Sequence, residues 1–394
     1  MNSEIKKVLE ALDREFDKRA LDWLIGLFDG ETGGFYYSAS ARDGEQFFPD
    51  IESIVQANST MQKLGLLDRD ENGAWLYPEW YKRIATDFIR SRQDEGDGYF
   101  YDPQYKAIAN KAKIERNTHF ALSFLRSDLK QKPLYPTPME RMELKKKENR
   151  SATEVSSNEN AGLGVYESEE SFLAWLDSIT VGRSSYSWGS DLSSGRSMIR
   201  AAGFEDLLVD WLIKRQNEEN GTWEEEFNMT AVNGVLKLCG FFRRDTLPFP
   251  RYEIYFERLI EFTKTFTPTT AAATWNPLGS MRCIIDNLPA LSGEIKGKID
   301  SGICEMIRNT TEKMRLFRQA DGGFSYGVRG SSTYSNDVIV STGAPEGDVN
   351  ATTLMMLVYN EAHLLTGIPH SEPWKEYREY FWENMKKKYD KFYK

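Results

Sequence analysis

The chain has 394 residues, 40% of them hydrophobic and 28% charged, which is typical of a soluble globular protein with a large core. Its formal net charge of −10 argues against a nucleic-acid-binding protein, which normally presents a basic surface. Because the charged N-terminus lacks the apolar core of a signal peptide and no apolar stretch approaches the ~20 residues that span a bilayer, we expect a cytoplasmic protein without a membrane partner.

The cysteine content excludes a disulfide-rich scaffold. The three cysteines, Cys239, Cys283 and Cys304, are too few for a disulfide framework, and they do not have the spacing of metal ligands. We therefore expect reduced thiols in a reducing compartment. The sequence predicts no bound metal and no other cofactor.

One phrase recurs along the chain. It consists of an apolar helix end, a glutamine or a substitute for it, and then a turn that closes with Gly-x-aromatic or Gly-aromatic. Its glycine is expected to adopt a positive φ in a tight turn, and its aromatic residue to pack back onto the preceding helix end. In chain order, the copies lie at 23–35, 64–75, 88–100, 211–223 and 316–324.

The turns separate two kinds of predicted helix. Six helices are apolar, rich in small residues and preceded by polar residues that suit an N-cap. They start near Pro49, Glu115, Ser190, Asn228, Trp275 and Gly347. More charged helices with one apolar face alternate with them. These are expected at about 4–28, 76–93, 168–180, 203–217, 251–267, 294–319 and 371–392.

This alternation indicates two concentric rings of helices with the apolar set inside. Because strand signals are scarce, we predict an all-α fold in which residues 1–394 form a single (α/α)6-type toroid. The segment 128–166 interrupts the pattern, since it is polar, lacks periodicity and contains three consecutive lysines. We interpret it as an inserted loop or lid.

The repeated phrase resembles motifs of known families. The Leu/Ile-x3-Gln-x4-Gly-x-aromatic frame of 89–100 and 212–223 resembles the QW repeat of squalene–hopene and oxidosqualene cyclases. "DGGFSY" from Asp321 and "EGDVNATTLMML" from Glu346 are similar to the Gly-Gly-Phe turn and the following inner helix of protein prenyltransferase β subunits. The resemblance covers most of the chain outside 128–166 and implies an α/α-toroid. The same ring also hosts glycoside hydrolases, polysaccharide lyases and sugar epimerases.

The activity motifs of the cyclases and prenyltransferases are not matched. The string nearest to the Asp-x-Asp-Asp acid of class II cyclases is "DRDE" at 68–71, in a turn where a solvated role is expected. There is no Asp-Asp-x-x-Asp for magnesium diphosphate. A prenyltransferase-type zinc site would need Cys and His near Asp348, but His363 lies about four helical turns later.

The mouth of the ring is the predicted site, because the N-termini of the inner helices would converge there with their positive dipole ends. Carboxylates suit sugar hydroxyl and glycosidic oxygens, and two opposed carboxylates are the minimum for glycosidic hydrolysis. We predict Asp50, Glu52 and Asp348 as catalytic acids, since the first and last repeats would be neighbours in a closed ring. Crowding of these acids is expected to raise at least one pKa, so that replacing one by its amide preserves or raises thermal stability.

Aromatic and polar side chains in the same turns are the predicted substrate-binding residues, because ring faces stack on sugars. The alternative is that the aromatics are turn packing and the acids are helix caps. The predicted binding set is His119, Trp188, Asp191, Trp223, Asn228, Trp275, Tyr326 and Asn350.

Three functions are compatible with this sequence. The first is a carbohydrate-active enzyme, a hydrolase, lyase or epimerase, acting on a small sugar or an oligosaccharide. The second is a terpenoid-cyclase-like or prenyltransferase-like protein acting on an isoprenoid, and the third is a toroid that binds a ligand without chemistry. An open acidic cleft would favour the first, an aromatic apolar pocket the second, and the lack of opposed carboxylates with perturbed pKa values the third.

Overall fold

The computed structural model describes residues 2–141, 144, 164–289 and 293–393. These residues form mostly α-helix, which confirms the predicted all-α class. The strands in these ranges are two short antiparallel hairpins. One pairs β1 (Asp68–Arg69) with β2 (Trp75–Leu76), and the other pairs β3 (Tyr334–Ser335) with β4 (Val338–Ile339).

The main helices of the described ranges include segments from both predicted sets. They are α1 (Asn2–Asp13), α2 (Lys18–Leu27), α3 (Ala39–Asp43), α4 (Ile51–Lys63), α5 (Glu79–Arg90), α6 (Lys111–Ser123), α7 (Glu169–Thr180), α8 (Ser185–Ser194), α9 (Arg196–Ala201), α10 (Glu205–Arg215), α11 (Met229–Leu238), α12 (Tyr252–Thr265), α13 (Ala271–Asp286), α14 (Gly293–Met314), α15 (Val349–Thr366) and α16 (Arg378–Tyr389). A π-turn spans Phe124–Asp128, and short 3-10 turns span Pro103–Tyr105, Gly164–Tyr166, Cys239–Phe241, Arg315–Phe317 and Lys375–Tyr377. None of the helices in this part of the chain combines the length and apolarity needed to cross a lipid bilayer.

The six helices predicted as the apolar set contact one another in a fixed order. α6 packs against α4, α4 against α15, α15 against α13, α13 against α11, and α11 against α8. The more charged helices pack on this set and on one another, with α14 contacting α1, α12, α13 and α15, and α2 contacting α16. One large hydrophobic core runs through these contacts.

The N-caps set where the apolar helices begin. Asp50, Asn228 and Asp348 each accept a hydrogen bond from the third helical N–H, as their position in the sequence predicts. Three helices begin four or five residues earlier than expected, because Asn110, Ser184 and Thr270 are the residues that cap α6, α8 and α13. The predicted helix over 4–28 is two helices, since α1 ends at Asp13 and α2 begins at Lys18, where Asp17 is the N-cap.

The recurring turns have the same backbone geometry. In all five copies the glycine has a φ between 70° and 100°, a region that side-chain-bearing residues rarely adopt. At Gly322 a Cβ atom would also lie 2.4 Å from the backbone oxygen of Arg19, so only glycine fits. These conformations confirm the predicted left-handed turn. The glycines are Gly33, Gly73, Gly98, Gly221 and Gly322.

The glutamine of the phrase spans its own turn. Gln216 Nε2 donates to the Gly221 carbonyl at 2.8 Å, and Gln93 Nε2 donates to the Gly98 carbonyl at 3.2 Å. The aromatic residue returns to the preceding helix, as predicted, since Trp223 Nε1 donates to the Leu212 carbonyl at 2.9 Å. Each turn is therefore a closed unit that ends one helix and directs the chain toward the next.

The first part of the predicted insertion is anchored to the turn at 88–100. Tyr135 and Gln93 exchange two hydrogen bonds of 2.9 Å through the Tyr135 backbone and the Gln93 amide. Arg141 donates to the Glu95 carbonyl at 2.6 Å. The remainder of 128–166, apart from Leu144 and residues 164–166, lies outside the described residues, so its role as a lid stays a prediction.

The cysteines depart from the prediction. Cys239, at the end of α11, forms a disulfide with Cys283 of α13, 44 residues along the chain, whereas Cys304 is free and buried. The expectation of reduced thiols throughout is therefore wrong for this pair. Spacing did not reveal the bond, because the packing of α11 on α13 brings the two residues together.

A thiol count tests the disulfide. Protein denatured without reductant should expose one free thiol of the three cysteines in the chain, and reduction should expose all three. Replacing both Cys239 and Cys283 by serine should lower the free energy of unfolding by about 2–4 kcal/mol, since the closed loop is long. Three free thiols before reduction would contradict the pairing.

Candidate functional site

The N-terminal ends of α4 and α15 meet, as expected for the first and last repeats. Ser38 and Asp348 form a backbone bridge, and Gln56 Nε2 of α4 donates to Asn350 Oδ1 of α15 at 3.0 Å. One helical turn further, the Thr60 and Thr353 hydroxyls lie 3.3 Å apart. The three predicted catalytic acids therefore belong to two helices in direct contact.

Asp50 and Asp348 use both of their carboxylate oxygens within the fold. Asp50 accepts from the Ser53 N–H at 2.7 Å and from the Ser53 hydroxyl at 2.8 Å. Asp348 accepts from the N–H groups of Ala351 and Tyr326, both at 2.7 Å. Both side chains are buried, so each acid satisfies backbone donors that water does not reach.

Glu52 is the centre of a buried ionic cluster. Its Oε2 accepts from Lys113 Nζ at 3.1 Å, and its Oε1 accepts from Arg116 Nη2 at 2.6 Å. Gln56 and the Ser335 hydroxyl complete the shell at 3.2 and 3.3 Å. The Lys113 side chain is only 1% exposed, which makes Glu52 its essential counter-charge.

The sequence analysis missed Asp102 and the two cations. Asp102 accepts from the Ile51 N–H at 2.9 Å and from Asn117 Nδ2 at 2.8 Å, so it caps α4 from a neighbouring turn. Asp102 lies two residues after Phe100, the aromatic residue of the repeated turn, and this position was the sequence signal that could have identified it. Lys113 and Arg116 lie three residues apart in α6, a spacing that places both on one side of the helix.

The environment separates the pKa values of these acids. Burial raises the pKa of Asp348 to about 7, against the hydrogen bonds that lower it. Burial and then the charge of Asp50 raise the pKa of Asp102 to about 7, and burial also raises the pKa of Asp50. Burial opposes ionisation of Glu52 too, but the charge of Lys113 and the hydrogen bond from Arg116 outweigh it and lower its pKa. The sequence predicts that at least one of these acids has a raised pKa. In the structure the largest cause of the raised values is burial, and repulsion between the acids is a smaller one at Asp50 and Asp102.

Several predicted binding residues pack or cap instead of facing an opening. Trp188 is buried against Trp211 and Trp223 in edge-to-face contacts, and Trp223 is tied to its own turn. Asn228 caps α11. Asp191 is exposed on α8 and forms a salt bridge with Arg183 at 2.8 Å.

The other predicted binding residues are more open. Trp275 of α13 and Tyr326 are half-buried, and His119 is exposed on α6 beside Phe120. Asn350 is half-buried and uses its amide oxygen for Gln56. These side chains, unlike the three acids, are therefore partly exposed to solvent.

The β3–β4 hairpin lies over the N-terminal ends of α4 and α6. Ser335 contacts Glu52, and Asn110, the cap of α6, donates to Asp337 at 2.8 Å. Glu346 anchors the loop that carries this hairpin, because it accepts hydrogen bonds from the Ser40 N–H at 2.6 Å and from the Ser331 hydroxyl at 3.0 Å. The acids are therefore enclosed from above as well as from the sides.

Among the described residues, no three His, Cys, Asp or Glu side chains are grouped as a metal ion would require. Comparison with known proteins gives no matching family model, no matching curated sequence and no matching solved structure. The site is therefore interpreted from its own geometry.

The ionic cluster predicts a large stability effect. Glu52→Gln should lower the free energy of unfolding by about 3–5 kcal/mol, because it removes the carboxylate that is hydrogen-bonded to the buried Lys113 ammonium. From repulsion between the acids alone, the sequence predicts instead that an amide at this position preserves or raises stability. Urea denaturation measures the change, with Glu10→Gln on the exposed side of α1 as the matched control, expected within about 0.5 kcal/mol of the parent. A Glu52→Gln protein as stable as the control would show that Lys113 does not need this partner.

The raised acid pKa values predict a pH effect. Asp348 binds its proton more tightly in the folded chain than in the unfolded chain, so its contribution to stability is full below about pH 4 and lost as the pH rises through 7. Unfolding free energies from pH 5 to 7.5 should therefore fall more steeply with pH in the parent than in Asp348→Asn. Comparing the two proteins removes the opposite effect of His370, whose pKa burial lowers. Equal slopes would refute the assignment.

Proposed function

We propose that the chain forms an α/α ring that binds a small polar ligand without chemical turnover. The observation that carries this proposal is that both carboxylate oxygens of Asp50, Glu52 and Asp348 already accept hydrogen bonds from the protein. A general acid or base must exchange a proton with its substrate directly or through one water. These acids are at most 3% exposed, so their geometry favours structural roles.

The order of helix contacts supports the ring. The contacts run from α6 through α4, α15, α13 and α11 to α8, so five of the six chain-order neighbour pairs are joined, including the last repeat to the first; the α6–α8 pair is not among them. The turns at 28–35 and 319–324 add to this, because the Asp50 N–H donates to the Phe35 carbonyl and the Asp348 N–H donates to the Phe324 carbonyl at the starts of α4 and α15. In the proposed ring, the half-buried faces of these helices would surround a central ligand space.

The side chains on those faces support a polar ligand. Asn276 Nδ2 of α13 donates to Asn233 Oδ1 of α11 at 2.6 Å, and Gln56 and Asn350 form the corresponding pair between α4 and α15. Each half-buried amide keeps a further donor or acceptor for a hydroxyl group. With the ring of Trp275 close by on α13, the combination favours a neutral sugar or a similarly hydroxylated molecule.

Sugar titrations test this proposal. Isothermal calorimetry with neutral mono- and oligosaccharides should show saturable binding, and Trp275→Leu should weaken it by about tenfold, the worth of one aromatic contact. Trp382→Leu, which removes a half-buried tryptophan at the distant C-terminus, is the matched control and should keep the parent affinity. Absence of binding across the panel, or equal affinity of both variants, would contradict the proposal.

A second candidate, a carbohydrate-active enzyme, is favoured by one observation. The pKa of Asp348 is raised to about 7 while that of Glu52 is lowered, which is the division between a proton donor and an ionised partner. Access would require the β3–β4 hairpin to move away from Glu52. Reducing-end release from oligosaccharides measures this activity. Turnover that Asp348→Asn abolishes, while Asp191→Asn preserves it, would replace the binding proposal by this one.

A further inference from the structure

A second cavity lies at the opposite end of α4, about 20 Å from Asp50 along a 13-residue helix. Its volume is about 330 Å³, at the lower end of the range of small-molecule sites. It is formed by the C-terminal end of α4, the β1–β2 hairpin and the segment after α15. The side chains that matter for its chemistry are Lys63, Asp68, Arg69, Trp75, His370 and Glu372.

The two cations of this cavity form no salt bridge with any residue that the structure describes. The half-buried Lys63 ammonium makes no hydrogen bond or salt bridge within the described ranges, and Arg69 donates only to the Gly73 carbonyl, at 3.1 Å. Burial lowers the pKa of Lys63, and the positive charge of Arg69 lowers it further. The nearest acid acting on Lys63, Glu361, offers limited compensation, because burial raises its own pKa.

The two lining carboxylates are already matched by cations outside the cavity. Asp68 forms a salt bridge with Arg378, and Glu372 forms one with Lys375 at 2.7 Å. The four charged lining side chains sum to zero, but the two carboxylates are each held by a cation outside the cavity, so Lys63 and Arg69 are the lining charges that form no salt bridge within the described ranges.

The arginine is held in a geometry that suits an oxyanion. Its guanidinium carbon lies 3.9 Å from the centroid of the Trp75 ring, which orients the guanidinium plane. A planar guanidinium donates two parallel hydrogen bonds to a carboxylate or phosphate, and a lysine adds a point charge. His370, whose ring lies tilted against Tyr359 with the ring centroids 5.4 Å apart, supplies a third nitrogen-bearing side chain to the wall.

We propose that this cavity binds a small oxyanion, a carboxylate or a phosphate ester, between Lys63 and Arg69. Binding here goes beyond sugar binding by the ring and does not depend on it, since the two sites lie at opposite ends of α4. The anion would replace the repulsion between the two cations by charge-assisted hydrogen bonds to both.

Calorimetric titrations of the full chain with inorganic phosphate and with citrate, at constant ionic strength set by chloride, test the proposal. The parent should bind at least one of them, and Lys63→Gln and Arg69→Gln should each weaken binding tenfold or more. Arg69→Lys, which keeps the charge but loses the planar fork, should fall between the parent and Arg69→Gln. The matched control is Lys387→Gln, on the exposed side of α16.

Each outcome decides the question. Binding of phosphate alone assigns a phosphate ester, and binding of citrate alone assigns a carboxylate. Failure of both to bind, or equal loss in Lys387→Gln, overturns the inference, and sugar binding in that same protein would leave the proposed function intact. If Lys63→Gln does not fold, Arg69→Gln decides alone, because the Arg69 side chain is exposed and donates a hydrogen bond only to the Gly73 carbonyl.

Discussion

The structure depends on satisfying the first N–H groups of helices that begin inside the protein. α4 and α15 start at buried residues, where water does not reach the free N–H groups of the first turn. Carboxylates fulfil this need more strongly than hydroxyls, because the hydrogen bonds are charge-assisted and the helix dipole favours the anion. Asp50, Asp102 and Asp348 are therefore explained by helix capping, whatever else they do.

This constraint determines the chemistry of the N-terminal end. A carboxylate whose oxygens are occupied by backbone donors in a desolvated site keeps little capacity for proton transfer with a ligand, even when its pKa lies near 7. Glu52 has no N–H group to cap, and its oxygens are held by Lys113 and Arg116 instead. The acids that the sequence offers as catalysts are thus the groups that hold α4, α6 and the turns together.

The two ends of α4 differ in their electrostatic balance. At the N-terminal end each of the buried acids Asp50, Glu52, Asp102 and Asp348 accepts hydrogen bonds from protein donors. At the C-terminal end the lining carboxylates are paired with cations outside the cavity, and Lys63 and Arg69 form no salt bridge in the described part of the chain. Charge that the fold leaves uncompensated beside a cavity is a better indicator of a ligand than charge that the fold already uses.

The sequence by itself determined the features that depend on residues close together in the chain. Left-handed glycines, caps such as Asp50 and the 3.6-residue period are local, so the turns, the helix order and the all-α class were predictable from it. Only the tertiary structure decided which side chains meet across long separations. Glu52 finds Lys113 61 residues away, and Cys239 finds Cys283 because α11 packs on α13. Such partners are selected by helix packing and desolvation, which act between segments and leave no periodic trace in the sequence.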